Sequence, residues 1–253
     1  MRALALTTWI ELKLFLREPV SVVMTLGLPL AVMFVLGGVF GNTPSTEEVV
    51  YRGVGAMDYY LPAYVALLIA SLGVVALPVH IASYRERGVI RRFQASSVPL
   101  RAVIGSQFMV TLVVAVFGSA LLIAVGMPVY DVRSPASVPL LIAGFLLCVL
   151  EFAAIGIFLG IAFRTARAAQ GAGIMLWFVL MMLGGAGPPP EVLPAALRGL
   201  GAATPIKPAI FLLQDAWLGF GWNWTQTLLV LAFTGGAVLL ILLFMQRRLF
   251  GER

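Results

Sequence analysis

The chain has 253 residues, of which 61% are hydrophobic and only 11% are Asp, Glu, Lys or Arg. Because a soluble domain is about 45–50% apolar and about 25% charged, this chain lacks the charged side chains that would cover a water-exposed surface. One Cys and one His exclude an internal disulfide and a zinc site, and the net charge of +6 favours basic cytoplasmic loops of a membrane protein over a nucleic-acid partner.

Long stretches between charged residues predict six membrane spans, because a spanning helix needs about 20 mostly apolar residues. The predicted spans are approximately residues 20–40, 61–83, 103–127, 138–163, 168–187 and 227–245. No polar linker divides them. We therefore expect residues 1–253 to form a single all-α transmembrane domain.

The distribution of Lys and Arg predicts the orientation of these spans, since cytoplasmic loops carry the excess of positive charge. One side receives thirteen of these residues, and the other side receives four. The thirteen are Arg2, Lys13, Arg17, Arg85, Arg87, Arg91, Arg92, Arg101, Arg164, Arg167, Arg247, Arg248 and Arg253. We expect that side to be cytoplasmic, with both termini there, in a multi-pass protein of the plasma membrane.

The segment before the first span, residues 1–18, has the pattern of an amphipathic helix at the cytoplasmic membrane surface. Ala5, Trp9, Leu12 and Leu16 recur at helical spacing, and Pro19 then interrupts the pattern. A Trp at headgroup depth with charges on the opposite side is typical of an interfacial helix. The alternative is that this segment simply begins the first span.

The loop of residues 84–99, between spans two and three, is the most charged part of the chain. It combines a small apolar edge with several arginines, which is the composition of a helix that docks on a partner protein. The candidate docking residues are Arg85, Glu86, Arg87, Gly88, Val89, Ile90, Arg91, Arg92 and Phe93. The alternative is a solvated loop whose arginines only fix the orientation.

Two features inside the predicted spans are candidates for contact with a transported compound. Glu151 is a carboxylate near the middle of span four, where a charge is costly unless it is protonated, paired or facing water. It is a candidate for cargo binding or a proton step, and a structural hydrogen bond to a neighbouring helix is the alternative.

In span five, four polarisable side chains offer an adaptable surface for bulky apolar cargo, or else pack against other helices. They are Trp177, Phe178, Met181 and Met182.

Residues 188–224, between the last two spans, are predicted to lie on the outer side. This segment contains several prolines and is nevertheless apolar, which is unusual for a water-exposed loop. Short helices that dip into the outer leaflet fit this composition, with their backbone groups satisfied by helical hydrogen bonds or by packing on protein.

Three segments are distinctive when they are taken together in chain order. Phe15–Val20 (FLREPV) precedes a first span that contains Leu28–Leu30 (LPL), and Glu86–Phe93 (ERGVIRRF) follows the second span. The outer segment contains Leu193-Pro194 followed by Leu197-Arg198. This combination resembles the permeases of the ATP-binding-cassette type 2 (ABC-2 type) exporter family, and most closely its daunorubicin and drug-resistance branch.

The resemblance implies the permease subunit of an ATP-driven exporter of hydrophobic or amphipathic compounds, as in drug or antibiotic efflux. It implies an elbow helix at residues 1–18, a coupling helix at 84–99, and two permease copies, identical or homologous. Two copies of a separate ATPase subunit would use ATP and Mg, and this chain would bind neither and would not be an enzyme. The absence of a Gly-x-x-x-x-Gly-Lys motif from the sequence agrees with that division.

The resemblance also implies re-entrant helices in 188–224 and a transport path lined by spans two and five at the seam between two copies. The implied outer-gate residues are Pro189, Leu193, Pro194 and Pro205. Export of a lipid or glycolipid by the same machinery is the main alternative. An ATP-independent secondary transporter would need repeated halves and buried ion ligands, of which Glu151 is the single candidate.

Overall fold

The computed structural model describes residues 8–10, 12–14, 16–17, 19–43, 50–88 and 100–250, without the side chains of 21, 24, 100–104 and 245–250. Within these ranges the chain is helical and contains no β-strand. The main helices are α1 (Pro19–Val22, Val23–Gly27 and Leu28–Phe40), α2 (Ala56–Glu86), α3 (Leu100–Tyr130), α4 (Val138–Ala162), α5 (Ala166–Gly184), α6 (Ala195–Ala202), α7 (Ile206–Leu218) and α8 (Trp224–Phe250).

Five helices of the described chain are long and apolar enough to cross a membrane, where the sequence predicted six spans. They are α2, Gly105–Tyr130 of α3, α4, α5 and Trp224–Phe244 of α8. The remaining predicted span, 20–40, corresponds to α1. Its apolar part among the residues with described side chains, Thr25–Phe40, is shorter than the other five helices. A π-helical turn at Val23–Gly27 precedes Leu28.

The two predicted cytoplasmic elements lie largely outside the described residues. In the elbow segment, Trp9 and Leu16 are exposed, and Lys13 Nζ lies 5.1 Å from the centroid of the Trp9 ring. In the coupling segment, residues 89–99 are outside the description, and Arg85 and Glu86 form the last turn of α2. Both the elbow helix and the coupling helix therefore stay predictions.

Helix α2 is the centre of the helical bundle. In its most apolar 18-residue window, 89% of the residues are buried, compared with 22% in the corresponding window of α8. A helix that is apolar on all sides is typically buried on all sides. Accordingly, α2 contacts α1, α3, α4, α5 and α7, and it supplies most of the core.

A π-helical turn at Leu72–Ala76 lies where the backbones of α4 and α5 contact α2. A Cβ atom added to Gly156 of α4 would collide with the Gly73 carbonyl oxygen, and one added to Gly173 of α5 would collide with the Val74 carbonyl oxygen. Only glycine permits such close contact between backbones. These glycines therefore fix α4 and α5 to the middle of α2.

The outer segment between α5 and α8 folds into a short 3-10 turn, Pro190–Val192, followed by α6 and α7. Most of α7 is buried, and it packs against α2, α4, α5 and α8. The apolar residues of this segment are therefore part of the core of the bundle.

Helix α7 runs antiparallel to α4. Leu212 and Leu213 pack against Gly144, and the Cys148 Sγ lies 3.8 Å from the Ala209 carbonyl oxygen. Because an α-helix rises 1.5 Å per residue, Cys148 lies about 15 Å along α4 from its outer end. Helix α7 thus lies inside the bundle along the N-terminal half of α4 and does not lie on the surface of the bundle.

Candidate functional site

Arg85 caps the C-terminal end of α4. Its Nη1 donates hydrogen bonds to the carbonyl oxygens of Gly160 at 3.3 Å, Ile161 at 2.5 Å and Phe163 at 3.1 Å. The last carbonyl groups of a helix have no partner within the helix, and a cation is favoured there by the helix dipole. Arg85 therefore joins the end of α2 to the end of α4.

Glu86 holds the start of the next helix. Its Oε2 accepts a hydrogen bond from the Ala166 N–H at 3.1 Å, and Thr165 Oγ1 accepts one from the Ala168 N–H at 3.2 Å. Both side chains satisfy N–H groups of the first turn of α5, which have no helical acceptor. The turn between α4 and α5 is thus attached to α2 by one basic and one acidic residue.

The rest of the predicted docking segment begins directly after this attachment. Arg87 ends α2, and Gly88 follows with a φ of +67°, which favours glycine and turns the chain away from the helix. Residues Val89, Ile90, Arg91, Arg92 and Phe93 lie outside the described residues. The structure therefore gives the position from which the docking segment starts.

The four predicted cargo residues of span five lie on two faces of α5. Trp177 and Met181 are buried, and the Trp177 Nε1–H donates a hydrogen bond to the Leu67 carbonyl oxygen of α2 at 3.3 Å. Phe178 is 54% exposed, and Met182 is half-buried. The structure therefore does not bring all four to one surface: Trp177 and Met181 pack on α2, and Phe178 faces away from the core.

Glu151 is fully buried in α4, and neither carboxylate oxygen has a hydrogen-bond partner in the described part of the chain. It follows Cys148 by three residues, and positions three apart lie on the same side of a helix. Since Cys148 contacts α7, Glu151 lies on the side of α4 that carries α7, one turn farther from the outer surface. A buried carboxylate at this depth requires protonation or a partner from beyond the described residues.

The predicted outer-gate residues lie at the junctions around α6 and α7. Pro189 and Leu193 are buried, Pro194 is the exposed residue before α6, and Pro205 is half-buried before α7. Proline is favoured at the start of helices because it lacks an N–H group and has a helical φ. Pro194 and Pro205 therefore mark where α6 and α7 begin.

Two side chains hold the chain between α5 and α6. The Tyr60 hydroxyl donates a hydrogen bond to the Gly187 carbonyl oxygen at 2.7 Å, which fixes the chain after α5 to α2. Arg198 Nη2 donates to the carbonyl oxygens of Leu193 at 3.1 Å and Glu191 at 3.4 Å, which folds α6 back onto the 3-10 turn.

Sequence analysis missed two ion pairs on the outer side. Asp58, in the first turn of α2, accepts the Arg133 backbone N–H at 2.9 Å and pairs with its Nε at 3.2 Å. Asp215, near the end of α7, lies 2.6 Å from Arg52 Nη2 and accepts a hydrogen bond from Asn223 Nδ2 at 2.7 Å. The sequence places charges of both signs on the predicted outer side, and this was a signal for pairing.

Arg52 is enclosed more fully than an ordinary loop arginine. Its guanidinium lies 4.9 Å from the centroid of the Phe211 ring and 4.6 Å from that of Phe220, which are cation–π distances. Arg52 and the preceding Tyr51 both have positive φ values, +58° and +57°, which are unfavourable for residues other than glycine. Burial also raises the pKa of the Tyr51 phenol. The contacts of Arg52 hold this backbone conformation in place.

Among the described residues, no group of three or more His, Cys, Asp or Glu side chains could hold a metal ion. Comparison with curated proteins finds no significant match. Comparison with family models finds a match to the model described as ABC-2 type transporter over residues 2–218, which includes α1 to α7. The chain therefore belongs to the ABC-2 type transporter family, whose membrane domains are the transmembrane permeases of ABC transporters.

Proposed function

We propose that this chain is the permease subunit of an ATP-driven exporter of the drug-resistance type, which moves hydrophobic or amphipathic compounds out of the cytoplasm or the inner leaflet. The observation that carries the proposal is the junction made by Arg85 and Glu86. A force applied to the basic segment after α2 would act through this junction on α2, α4 and α5 together. Membership of the ABC-2 type family supports the same function.

The permease crosses the plasma membrane six times, with both termini in the cytoplasm. Helix α1 supplies the additional span, because its three stretches follow one another without interruption from Pro19 to Phe40. A helix of 20 residues is about 30 Å long, which matches the hydrocarbon thickness of a bilayer. The excess of Lys and Arg on one side supports this orientation.

Two copies of the permease, identical or homologous, assemble with two ATPase subunits that bind ATP and Mg. The part of the predicted coupling segment that follows this junction, residues 87–99, forms the coupling helix that enters a cleft of the ATPase. Apolar side chains fill the cleft, and arginines meet an acidic rim. The apolar side chains are those of Val89, Ile90 and Phe93, and the arginines are Arg87, Arg91 and Arg92.

The transport path lies at the seam between the two copies, next to the exposed side of α5. Met175 and Phe178 are 72% and 54% exposed, and both are large apolar side chains that adapt to different ligands. Re-entrant helices α6 and α7 form the outer gate, with their starts set by Pro194 and Pro205. Glu151 contributes a polar group to the path from the α7 side of α4.

The docking residue Phe93 provides the first test. Tagged full-length chain is purified from its native membrane in mild detergent, and the co-eluting proteins are identified by mass spectrometry. We expect a stoichiometric subunit that carries the Gly-x-x-x-x-Gly-Lys motif, and we expect Phe93→Asp to abolish its recovery while the permease still folds. Val192→Asp is the matched control, since Val192 is an exposed apolar residue on the outer side.

Recovery of the ATPase with Phe93→Asp would contradict the docking role, and a pure chain without any ATPase would contradict the whole proposal. Once the complex of permease and ATPase is purified, the compounds that stimulate its ATP hydrolysis distinguish drug cargo from lipid cargo. Stimulation by lipophilic drugs supports drug efflux. Stimulation by a lipid or glycolipid alone supports the alternative cargo of the same machinery.

A further inference from the structure

The second half of α7 and the chain just after it carry the groups that bind an organic cation. Asp215 supplies a carboxylate oxygen, Oδ1, and Gln214 supplies an amide oxygen, Oε1. The rings of Phe211 and Phe220 add two aromatic surfaces, to which cations are attracted. A carboxylate beside aromatic rings is the combination that recognises guanidinium, amidinium and ammonium groups.

In the structure this site holds the side chain of Arg52, which acts as a ligand tethered to the chain. Its Nη2 lies 2.6 Å from Asp215 Oδ1, and its Nη1 donates a hydrogen bond to Gln214 Oε1 at 3.3 Å. Arg52 comes from a separate element, the 3-10 turn Tyr51–Gly53 that precedes α2. The guanidinium shows which ligand the site accepts, namely a planar cation that directs two N–H donors at two oxygen atoms.

The two oxygen atoms are held in place by contacts that do not involve Arg52. Gln214 Nε2 donates a hydrogen bond to the Tyr59 carbonyl oxygen at 3.0 Å, which orients the amide. Asn223 Nδ2 donates to the other carboxylate oxygen, Asp215 Oδ2, at 2.7 Å. The amide and the carboxylate therefore keep their orientation when Arg52 moves away, and the site is organised in advance for another cation.

Two features allow Arg52 to exchange with a free ligand. Tyr51 and Arg52 have φ values of +57° and +58°, a conformation that costs free energy in residues other than glycine, so release of Arg52 relieves strain. The side chain of Arg52 is 20% exposed and that of Phe220 is 55% exposed, so a ligand can approach from outside the bundle. The exchange replaces one cation with another, and Asp215 keeps a positively charged partner.

The charges at the site select against other classes of ligand. Asp215 is 2% exposed, so a neutral occupant would leave its carboxylate buried without a partner, and an anionic occupant would be repelled by it. The two rings favour a cation with an apolar body, since they offer apolar surface as well as attraction for charge. An amphipathic cation meets both requirements.

We propose that this site binds amphipathic organic cations, such as arylguanidinium compounds, in exchange for the side chain of Arg52. The site belongs to α7, one of the two helices that we assign to the outer gate. The inference deepens the proposed function by naming cationic amphiphiles as the cargo, and it rests on that function for the role in transport. Binding needs neither ATP nor an ATPase. Loss of the site would leave the permease role intact, and a chain without an ATPase could still bind the cation.

The test compares phenylguanidinium with phenylurea, which has a similar shape and no charge. Binding to the full-length chain in phosphatidylcholine nanodiscs is measured by isothermal titration calorimetry. We expect saturable binding of phenylguanidinium to the wild-type chain, and binding about tenfold tighter or more to Arg52→Ala, because the tethered competitor is gone. Phenylurea should not bind saturably to either chain. Adding Asp215→Asn to Arg52→Ala should abolish binding of phenylguanidinium, since the carboxylate is lost while the shape of the site is kept.

Two matched variants control for effects elsewhere on the chain. In the Arg52→Ala background, Phe220→Ala should weaken binding about two- to fivefold, the usual contribution of an exposed cation–π contact, whereas Trp224→Ala removes another exposed ring and should not. Arg133→Ala removes the arginine that pairs with Asp58, and it should bind phenylguanidinium like the wild-type chain.

The exchange with Arg52 is overturned if the wild-type chain shows no saturable binding, or if it binds as tightly as Arg52→Ala. Equal binding with and without Asp215→Asn would show that the cation binds elsewhere. If Arg52→Ala does not fold alone, phenylguanidinium added during solubilisation should restore a monodisperse chain, and phenylurea should not. Failure of the cation to do so would overturn the proposal as well.

Discussion

Arg52 Nη2 lies 2.6 Å from Asp215 Oδ1, in an ion pair that joins the loop before α2 to the last turns of α7. Asp215 is 2% exposed, so its charge is removed from water. Removing one partner of a buried pair is strongly destabilising, because it leaves an uncompensated charge in the interior. The pair therefore fastens the outer helix to the loop that leads into the central helix.

Arg52→Gln should lower the thermal stability of the purified chain. The side chain of Arg52 is 20% exposed, so we expect a loss of about 2–3 kcal/mol, at the lower end of the range for buried pairs or below it. That corresponds to a decrease in Tm of roughly 5–10 °C for a chain of this length. Lys207→Gln is the control, because the Lys207 Nζ also lies near the Phe211 ring, 5.8 Å from its centroid. Equal Tm values for the two variants would show that the pair does not fasten α7.

Glu86→Ala should loosen the beginning of α5. The substitution removes the acceptor of the Ala166 N–H, and the loss of an N-terminal cap typically costs about 1 kcal/mol. We therefore expect hydrogen exchange of the Ala166 amide to become about fivefold faster, while the Ala168 amide, bonded to Thr165, changes little. Glu191→Ala, an exposed acidic residue on the outer side, serves as the control. Unchanged exchange at Ala166 would contradict the cap.

Gly156→Ala should destabilise the bundle, since the new methyl group would collide with the Gly73 carbonyl oxygen. Overpacking a tightly packed core costs about 1–3 kcal/mol, which predicts a decrease in Tm of about 3–10 °C. Gly235→Ala adds the same methyl group to α8 where no atom lies within 4 Å, and it should be neutral or slightly stabilising. A normal Tm for Gly156→Ala would mean that α2 and α4 are not in backbone contact.

Glu151→Gln should be at least as stable as the wild-type chain, because it replaces a fully buried carboxylate whose oxygens have no partner in the described chain. If Glu151 contributes to the transport path, export should fall although the protein is expressed and folded. The measurement combines Tm with export from loaded cells at equal protein levels. Full export with a normal Tm would remove Glu151 from the path.

The bounds of the spans could be predicted from the sequence where charged residues mark the ends of a long apolar stretch. The predicted span 138–163 and helix α4 (Val138–Ala162) agree closely, because polar residues flank an apolar stretch in which Glu151 is the one charged residue. Span two was predicted to begin at residue 61, whereas α2 begins at Ala56 and includes Asp58. That charge lies inside the helix because Arg133 neutralises it, and this contact depends on tertiary structure.

Contacts between helices could not be predicted from charge and hydropathy patterns. Trp177 and Phe178 are adjacent large aromatic residues, yet one donates a hydrogen bond to α2 and the other faces away from the core. A nearly all-apolar helix carries no periodic signal that distinguishes its buried side from its lipid-facing side.

The backbone contact at Gly73, Gly156 and Gly173 has a mechanical consequence for α2. Side chains packed between two helices can adjust when the helices move. At this point no side chain separates α2 from α4 or from α5. The three helices should tilt as one stiff lever. With 31 residues, α2 is about 46 Å long, so a tilt of about 5° about one end moves the other end by about 4 Å. Near its N-terminal end this lever carries Tyr60, and through the hydrogen bond of Tyr60 to Gly187 it carries the chain that leads into α6.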